Sequence, residues 1–117
     1  MSGKSWVILA CIMAFVLFKV FMGRRSPEQM VVMQEAVAAG GLLLDVRSPG
    51  EFSGHHLDGA LNIPVGELKA RLGELGDKER TLVVYCASGV RSKSATKLLL
   101  SNDFQNVHDL GSWRNWP

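Results

Sequence analysis

The sequence predicts an α/β domain with a mainly parallel sheet, because short apolar stretches alternate with stretches of helical periodicity. The two clearest apolar stretches are residues 42–46 and 81–86, and the second is rich in β-branched and aromatic residues. Neither stretch alternates polar with apolar residues, which is typical of strands buried on both faces of a sheet. Shorter extended pieces are expected at residues 61–64 and 106–110.

Three segments, one before the first strand and two between later strands, are predicted to be helices. The first has Ser26 as its N-cap and Pro27 in its first turn, and Gly40-Gly41 ends it. The other two are residues 67–75 and 92–102, whereas Pro49-Gly50 is expected only to turn the chain. The apolar side chains that recur at helical spacing on the three segments are Met30, Met33, Val37, Leu68, Leu72, Leu75, Ala95, Leu98 and Leu99.

The composition divides the chain of 117 residues into residues 1–25 and residues 26–117. Four of the 13 basic residues lie in the first part, which has no acidic residue. The second part therefore carries nine basic and 11 acidic residues, a net charge of −2, which argues against a nucleic-acid partner. Because 47% of the chain is hydrophobic and 21% charged, residues 26–117 are expected to form one compact domain.

Residues 6–22 are predicted to form a single transmembrane helix, because Lys19 is the one charged residue among seventeen. Seventeen helical residues span about 25 Å, the short end of the range for a bilayer. The Lys19 ammonium would reach the headgroups, and Trp6 suits the opposite interface. A cleaved signal peptide or a buried core helix is the alternative. The first would need small residues near residue 22, and the second would need a polar face.

The basic residues around this apolar run predict its orientation in the cell membrane. Lys4 precedes the run, whereas Lys19, Arg24 and Arg25 lie at or beyond its end. The bias of positive charge toward the cytoplasm therefore predicts a single-pass protein of the inner membrane with its domain facing the cytoplasm. Export of the domain to the periplasm is the alternative.

The two cysteines lie in different parts of the chain. Cys11 is inside the apolar run and Cys86 is inside the domain, so an intrachain disulfide is not expected. One thiol and three scattered histidines do not make a zinc site, and no metal or cofactor is expected. Cys86 is then either a small buried hydrophobic residue or a reactive thiol.

The surroundings of Cys86 favour the reactive thiol. Cys86 ends the predicted strand and precedes a loop and a helix, so backbone N–H groups at the helix N-terminus are expected around it. Gly89 lets the loop curl, and the Arg91 guanidinium adds positive charge. Both the helix N-terminus and Arg91 would favour the thiolate, which predicts a nucleophilic cysteine in an anion-binding loop.

Three segments, in order along the chain, resemble the rhodanese family. They surround Asp45, Cys86 and the last strand, and they cover most of residues 26–117. Two departures from the family pattern are His55, where many members have glycine, and Ser112 after Gly111. The first segment contributes residues 44–47, 51–52 and 56–64, the second residues 84–92, and the third residues 104–107, 110–111 and 116.

The resemblance implies a three-layer rhodanese fold and sulfur transfer. In this family a cysteine takes a sulfane sulfur from a donor such as thiosulfate, becomes a persulfide, and passes the sulfur to cyanide or a thiol. Cys86 would be that carrier, and the residues that would bind the substrate follow it: Ala87, Ser88, Gly89, Val90, Arg91 and Ser92.

Four residues outside the loop are expected to support the site. Arg47 is expected to lie between the carboxylates of Asp45 and Glu51 and to tie a strand end to a loop. His56 is expected to fix a loop through a hydrogen bond. None of the four is expected to react with substrate.

Two other functions stay open from the sequence. Related phosphatases have five residues between the cysteine and the arginine of their loop, and a phosphoryl group needs that wider loop. Four residues separate Cys86 from Arg91 here, which favours sulfur chemistry. A non-enzymatic docking or sulfur-carrier module is the other alternative, although such docking modules in this family usually lack the cysteine.

Overall fold

The computed structural model describes the backbone of residues 3–117 and the side chains of residues 4–17 and 23–117. In this described part of the chain, the α-helices are α1 (Gly3–Gly23), α2 (Pro27–Ala38), α3 (Pro49–Gly54) and α4 (Val90–Ser101). Its strands are β1 (Leu42–Asp45), β2 (Leu61–Asn62), β3 (Thr81–Cys86) and β4 (Asn106–Ser112). Short 3-10 helices cover Val65–Glu67, Lys69–Leu75 and Trp113–Asn115.

The four strands form one parallel sheet in the order β2-β1-β3-β4. Leu44 lies opposite Val84 in the pairing of β1 with β3. Strand β3 is therefore central, and Cys86 lies at its carboxyl end, the edge where parallel sheets usually bind ligands. The predicted parallel α/β sheet is confirmed.

Apolar clusters cover both faces of the sheet and make three layers. On one face Leu44 and Val84 pack with Leu99 of α4 and with Phe104. On the other face Val83, Tyr85 and Leu110 pack with Met33 of α2, which is 3% exposed. Because neighbouring residues of β3 point to opposite faces, its unbroken apolar sequence supplies both clusters.

Two helices begin with the same arrangement of side chains. The Ser26 hydroxyl accepts a hydrogen bond from the N–H of Gln29, and the Gln29 side chain accepts one from the N–H of Ser26. Ser48 and Glu51 do the same at the start of α3. Helix α3 replaces the simple turn expected at Pro49-Gly50, because Ser, Pro and Glu at this spacing form a capping box.

The prediction of one regular helix over residues 67–75 was wrong, because the structure has 3-10 helices there. Two 3-10 segments cover this stretch, and Arg71, with φ −117° and ψ 18°, interrupts the second of them. Glycines at positions 66 and 73 weaken an α-helix. Burial of Leu68 and Leu75, both 0% exposed, therefore determines the local path of the chain.

Helix α1 exposes apolar side chains along its length, from Trp6 (66% exposed) to Leu17 (61% exposed). Among the residues that the structure describes, no helix is both long and apolar enough to cross a membrane, so the predicted anchor is not supported. The expected placement of the Lys19 ammonium lies outside the described side chains.

The last residue of α1 and the residues after it contact the domain. The Arg25 Nε donates a hydrogen bond to the carbonyl of Asp109 at 2.8 Å. The Asn115 side-chain amide donates to the carbonyls of Gly23 at 3.3 Å and of Leu110 at 2.8 Å. Arg25, which the sequence placed in the basic flank of the apolar run, therefore packs on strand β4.

Candidate active site

The Cys86 thiol lies inside the loop that joins β3 to α4. Its sulfur accepts hydrogen bonds from the backbone N–H of Gly89 at 3.0 Å and of Ser92 at 3.4 Å. Cys86 itself is 0% exposed. The loop therefore wraps around the sulfur, as expected for a strand that runs into a helix N-terminus.

Gly89 gives the loop its curvature. It is the N-cap of α4 and has φ 101°, a left-handed conformation that favours glycine. A side chain at this position would also approach the Cα of Gly111 at 3.6 Å. The Ser92 hydroxyl donates to the carbonyl of Gly89 at 3.1 Å and closes the loop from inside.

The pKa of the Cys86 thiol lies below its ordinary value of about 9. Burial raises this pKa, but hydrogen bonds from the backbone and the hydroxyl of Ser92 and from the N–H groups of Gly89 and Ser88 outweigh burial. The Ser92 hydroxyl has a single proton, so it can serve the sulfur only after it turns away from the Gly89 carbonyl. The hydrogen bonds of the loop therefore stabilise the thiolate.

Arg91 points to a carboxylate on another helix. Its guanidinium donates to both carboxylate oxygens of Glu51, at 2.7 and 3.0 Å. The hydrogen bonds from Arg91 lower the pKa of Glu51 to about 2, with help from the backbone of Ser48. Arg91 thus ties the first turn of α4 to α3.

Arg47 forms a separate, buried ion pair with Asp45. Its Nη2 lies 2.7 Å from Oδ2 of Asp45, and the same nitrogen donates to the carbonyl of His55 at 2.5 Å. Asp45 is 0% exposed and Arg47 is 5% exposed. The arginine expected between two carboxylates therefore binds one carboxylate and one carbonyl, because Glu51 binds Arg91 instead.

His56 stacks on Phe52, with ring centroids 3.8 Å apart and planes within 7°. Its Nδ1 lies 2.8 Å from the Phe52 carbonyl, and since a carbonyl only accepts, Nδ1 carries the proton. These contacts fix the chain after α3, as expected of a loop-fixing residue. They leave His56 away from the hydrogen bonds around Cys86.

Several residues that support the site were not predicted from the sequence. The Tyr85 hydroxyl accepts a hydrogen bond from the N–H of Leu57 at 3.1 Å, and burial raises the pKa of Tyr85 to about 12. The Asn62 amide donates to the carbonyls of Asp45 and Arg47, both at 3.0 Å. The spacing of Ser48 and Glu51 could have revealed their capping box, whereas no local pattern marks Tyr85 or Asn62.

A groove next to the loop was also missed. It has a volume of about 420 Å³, and Arg25, Lys93 and Asp109 line it together with Ser88 and Gly89 of the loop. Among the described residues, no three His, Cys, Asp or Glu side chains are grouped so that they could hold a metal ion.

The sheet order, the curled cysteine loop and the two ion pairs define a single-domain α/β protein with a cysteine at its ligand-binding edge. A family profile described as rhodanese-like domain matches residues 26–117. The chain belongs to the rhodanese-like single-domain sulfurtransferase family, as the resemblance predicted.

Two relatives illustrate this membership. The uncharacterised protein YqhL of Bacillus subtilis (strain 168) is 30% identical over 118 residues, which cover 97% of this chain and 93% of the relative. The thiosulfate sulfurtransferase GlpE of Shewanella oneidensis is 34% identical over 92 residues, which cover 78% of this chain and 88% of the relative.

Two solved structures share the fold. The human single-domain sulfurtransferase superimposes with a TM-score of 0.64 and 30% identity, covering 74% of this chain and 90% of the human chain. A rhodanese with anions from Escherichia coli gives a TM-score of 0.63 and 32% identity, covering 67% of this chain and 95% of the other.

Proposed function

We propose that this protein is a sulfurtransferase that carries a sulfane sulfur as a persulfide on Cys86. The observation that carries the proposal is the pair of backbone N–H groups, from Gly89 and Ser92, that point at the Cys86 sulfur. They stabilise a thiolate before the reaction and the terminal sulfur anion of a persulfide after it. Relatives named thiosulfate sulfurtransferases support the assignment.

The reaction has two displacements at sulfur. In the first, the Cys86 thiolate attacks the outer sulfur of thiosulfate, a new S–S bond forms, and sulfite leaves with the electron pair of the broken S–S bond. In the second, cyanide or a thiolate attacks the outer sulfur of the persulfide, and the Cys86 thiolate leaves. A thiol with a lowered pKa is well suited to both steps, because it attacks as a thiolate and leaves as one.

The loop residues and the ion pairs have different roles in this scheme. The N–H groups between Ala87 and Ser92 bind the negative charge, while the side chain of Val90 is exposed and lines the groove beside the loop. The pair of Arg91 with Glu51 and the pair of Arg47 with Asp45 position the loop and its neighbouring strand.

Mass spectrometry of the intact chain tests the proposal. After treatment with thiosulfate, Cys86 should gain about 32 Da, one sulfur atom, and cyanide should remove it as thiocyanate. Cys86→Ser should abolish both events. Cys11→Ser is the matched control and should leave them unchanged, because Cys11 lies on α1, outside the loop. Sulfur transfer by the Cys86→Ser variant would refute the mechanism.

We also propose that α1 attaches the protein to the cell membrane with its domain in the cytoplasm. The apolar side chains of α1, among them Trp6, Ile8 and Met13, are exposed. Their contact with water is unfavourable, and burial in lipid would remove this cost in free energy, which supports the proposal. The basic residues Arg24 and Arg25 after α1 support the cytoplasmic orientation. Export to the periplasm is the competing arrangement.

Two measurements test this location. The full chain should sediment with membranes, whereas a chain lacking residues 1–22 should not. A pair of reporters fused after Trp116, one active only in the cytoplasm and one only outside it, should report the cytoplasm. Activity of the outside reporter alone, or a mature N-terminus near Ser26, would overturn the orientation.

A further inference from the structure

The groove beside the cysteine loop, which we name the Lys93 groove, is lined by Arg25, Ser88, Gly89, Lys93, Asp109 and Gly111. Gly89 belongs to the groove and its N–H also donates to the Cys86 sulfur at 3.0 Å. The outer sulfur of a persulfide stands about 2 Å beyond the cysteine sulfur. A molecule in this groove would therefore contact the loop that surrounds the Cys86 sulfur.

The Lys93 groove has a net positive charge. Arg25 lies against Asp109, with Nη2 and Oδ2 3.7 Å apart, and each largely offsets the other. Lys93 is exposed, and its ammonium has no ion-pair or hydrogen-bond partner among the described side chains. The cation of the loop itself, Arg91, is held by Glu51. Among the described side chains that line the groove, Lys93 is thus the cation that remains available to a substrate.

The groove is larger than thiosulfate or cyanide would need. A volume of about 420 Å³ lies in the range of sites for small organic ligands, whereas thiosulfate has five heavy atoms and cyanide two. Opposite charges in such a partly enclosed groove attract each other more strongly than they do in open water. The groove is therefore suited to a small organic anion.

We infer that the Lys93 groove binds the body of the sulfur acceptor, and that this acceptor is a small organic thiol that carries a negatively charged group. The inference rests on the proposed function. The anionic group lies against Lys93, and the thiolate attacks the outer sulfur of the Cys86 persulfide. A new S–S bond forms on the acceptor, the bond to the Cys86 sulfur breaks, and the Cys86 thiolate leaves with the electron pair.

Asp109 limits the affinity of the groove for anions. Its carboxylate lies beside Arg25 and also accepts a hydrogen bond from the N–H of Gly111 at 2.9 Å. An asparagine side chain can still accept from Gly111, so Asp109→Asn removes the charge and keeps the turn. This variant should bind anions more tightly, opposite in sign to the loss of Lys93.

The inference is tested with the full chain, in a neutral detergent, after Cys86 has been converted to the persulfide. The measured quantity is the rate at which a thiol removes the outer sulfur. The acceptors are 3-mercaptopropionate (anionic), 2-mercaptoethanol (neutral) and cysteamine (cationic), compared at equal thiolate concentration. The anionic thiol should react fastest at subsaturating concentration. Lys93→Gln should reduce the ratio of the rate with the anionic thiol to the rate with the neutral thiol by about threefold, the effect of one partly screened charge. Asp109→Asn should increase this ratio. Raising the ionic strength to about 0.5 M should reduce both effects.

Lys97→Gln is the matched control, because Lys97 is exposed on the same helix one turn further and does not line the groove. It should leave the preference unchanged. An equal preference in the native and Lys93→Gln chains, or an equal effect of Lys97→Gln, would overturn the inference.

A binding measurement separates this inference from the proposed function. The probe is 3-(methylthio)propionate, whose sulfur cannot react, and the protein is the full-length Cys86→Ser variant. Ligand-observed NMR should show binding that Lys93→Gln weakens by about threefold and Asp109→Asn strengthens. If neither substitution changes the binding, the Lys93 groove does not bind the acceptor and the inference is wrong. Failure of Cys86 to accept sulfur from any donor, with these changes intact, refutes the proposed function alone.

Discussion

The guanidinium of Arg91 donates two hydrogen bonds to the carboxylate of Glu51, at 2.7 and 3.0 Å, and joins residues 40 positions apart in the chain. The two side chains are 35% and 37% exposed. Since Arg91 follows the cysteine loop directly and Glu51 belongs to α3, the pair holds the start of α4 against a different part of the domain. The loop around Cys86 is thus supported from outside as well as by its own N–H groups.

The pKa of Glu51 should reveal this pair in solution. It should lie at about 2, below the ordinary value of 4.5, because Arg91 donates to the charged carboxylate. The sign follows from the lower pKa in the folded state. The contribution of the pair to stability is fully present above pH 4.5 and is lost as the pH falls through about 2. The carboxyl carbon chemical shift of Glu51 against pH measures this value.

Arg91→Gln should return the pKa of Glu51 toward its ordinary value. Arg71→Gln is the matched control, because Arg71 pairs with Glu74 at 2.6 Å and should change the pKa of Glu74 instead. Titration of Glu51 near 4.5 in the native chain would show that the pair does not form.

The Cys86 thiol should titrate below its ordinary value of about 9, because the loop hydrogen bonds outweigh burial. Ser92→Ala should raise the pKa of Cys86 more than Arg91→Gln does, since the Ser92 hydroxyl lowers this pKa while Arg91 faces Glu51. The rate of alkylation by iodoacetamide against pH, measured in a Cys11→Ser background, gives the value. A larger effect of Arg91→Gln would mean that the arginine, rather than the loop, stabilises the thiolate.

Gly89→Ala should destabilise the protein by about 1–2 kcal/mol and slow the loading of sulfur, because Gly89 has a left-handed backbone that costs other residues free energy. Gly50→Ala is the matched control. Its added carbon meets nothing within 4 Å, and it lies in α3, where alanine is favourable. Urea unfolding followed by circular dichroism compares the two. Equal stability of both variants would contradict the strain assigned to position 89.

Asp45→Asn should lower the free energy of unfolding by about 3 kcal/mol, because it leaves the buried Arg47 guanidinium without its negative partner. The same unfolding measurement tests this value. Glu74→Gln breaks a pair with Arg71 on the surface and should leave stability unchanged within error. A similar result for both variants would show that burial of the Asp45–Arg47 pair contributes nothing.

Local patterns predicted the elements that frame the site. Strand β3 has the bounds expected at residues 81–86, and α2 begins after the Ser26 cap. The expected apolar faces are also present, since Met33, Ala95 and Leu99 are buried. These features depend on residues within a few positions of one another, so periodicity and capping reveal them.

Two elements differ from their local sequence patterns, and in both of them neighbouring residues favour different structures. Pro49-Gly50 indicated a turn, but the capping box of Ser48 and Glu51 outweighs it and α3 forms. Residues 67–75 have helical leucine spacing, but glycine weakens the helix and the burial of Leu68 and Leu75 bends the chain into 3-10 segments.

The sequence by itself determined that Cys86 ends an apolar strand and that backbone N–H groups lie around its sulfur, because the strand, the glycine and the helix start are consecutive. Only the tertiary structure decided which charges pair. Arg91 could have faced the sulfur and Arg47 could have bound Glu51, but the sheet order β2-β1-β3-β4 brings α3 beside α4. In the same way, Arg25 reaches Asp109, 84 residues away, and a groove forms next to the cysteine loop. Coulomb attraction acts through space, so a residue's charge appears in the sequence but its partner appears only after the chain has folded.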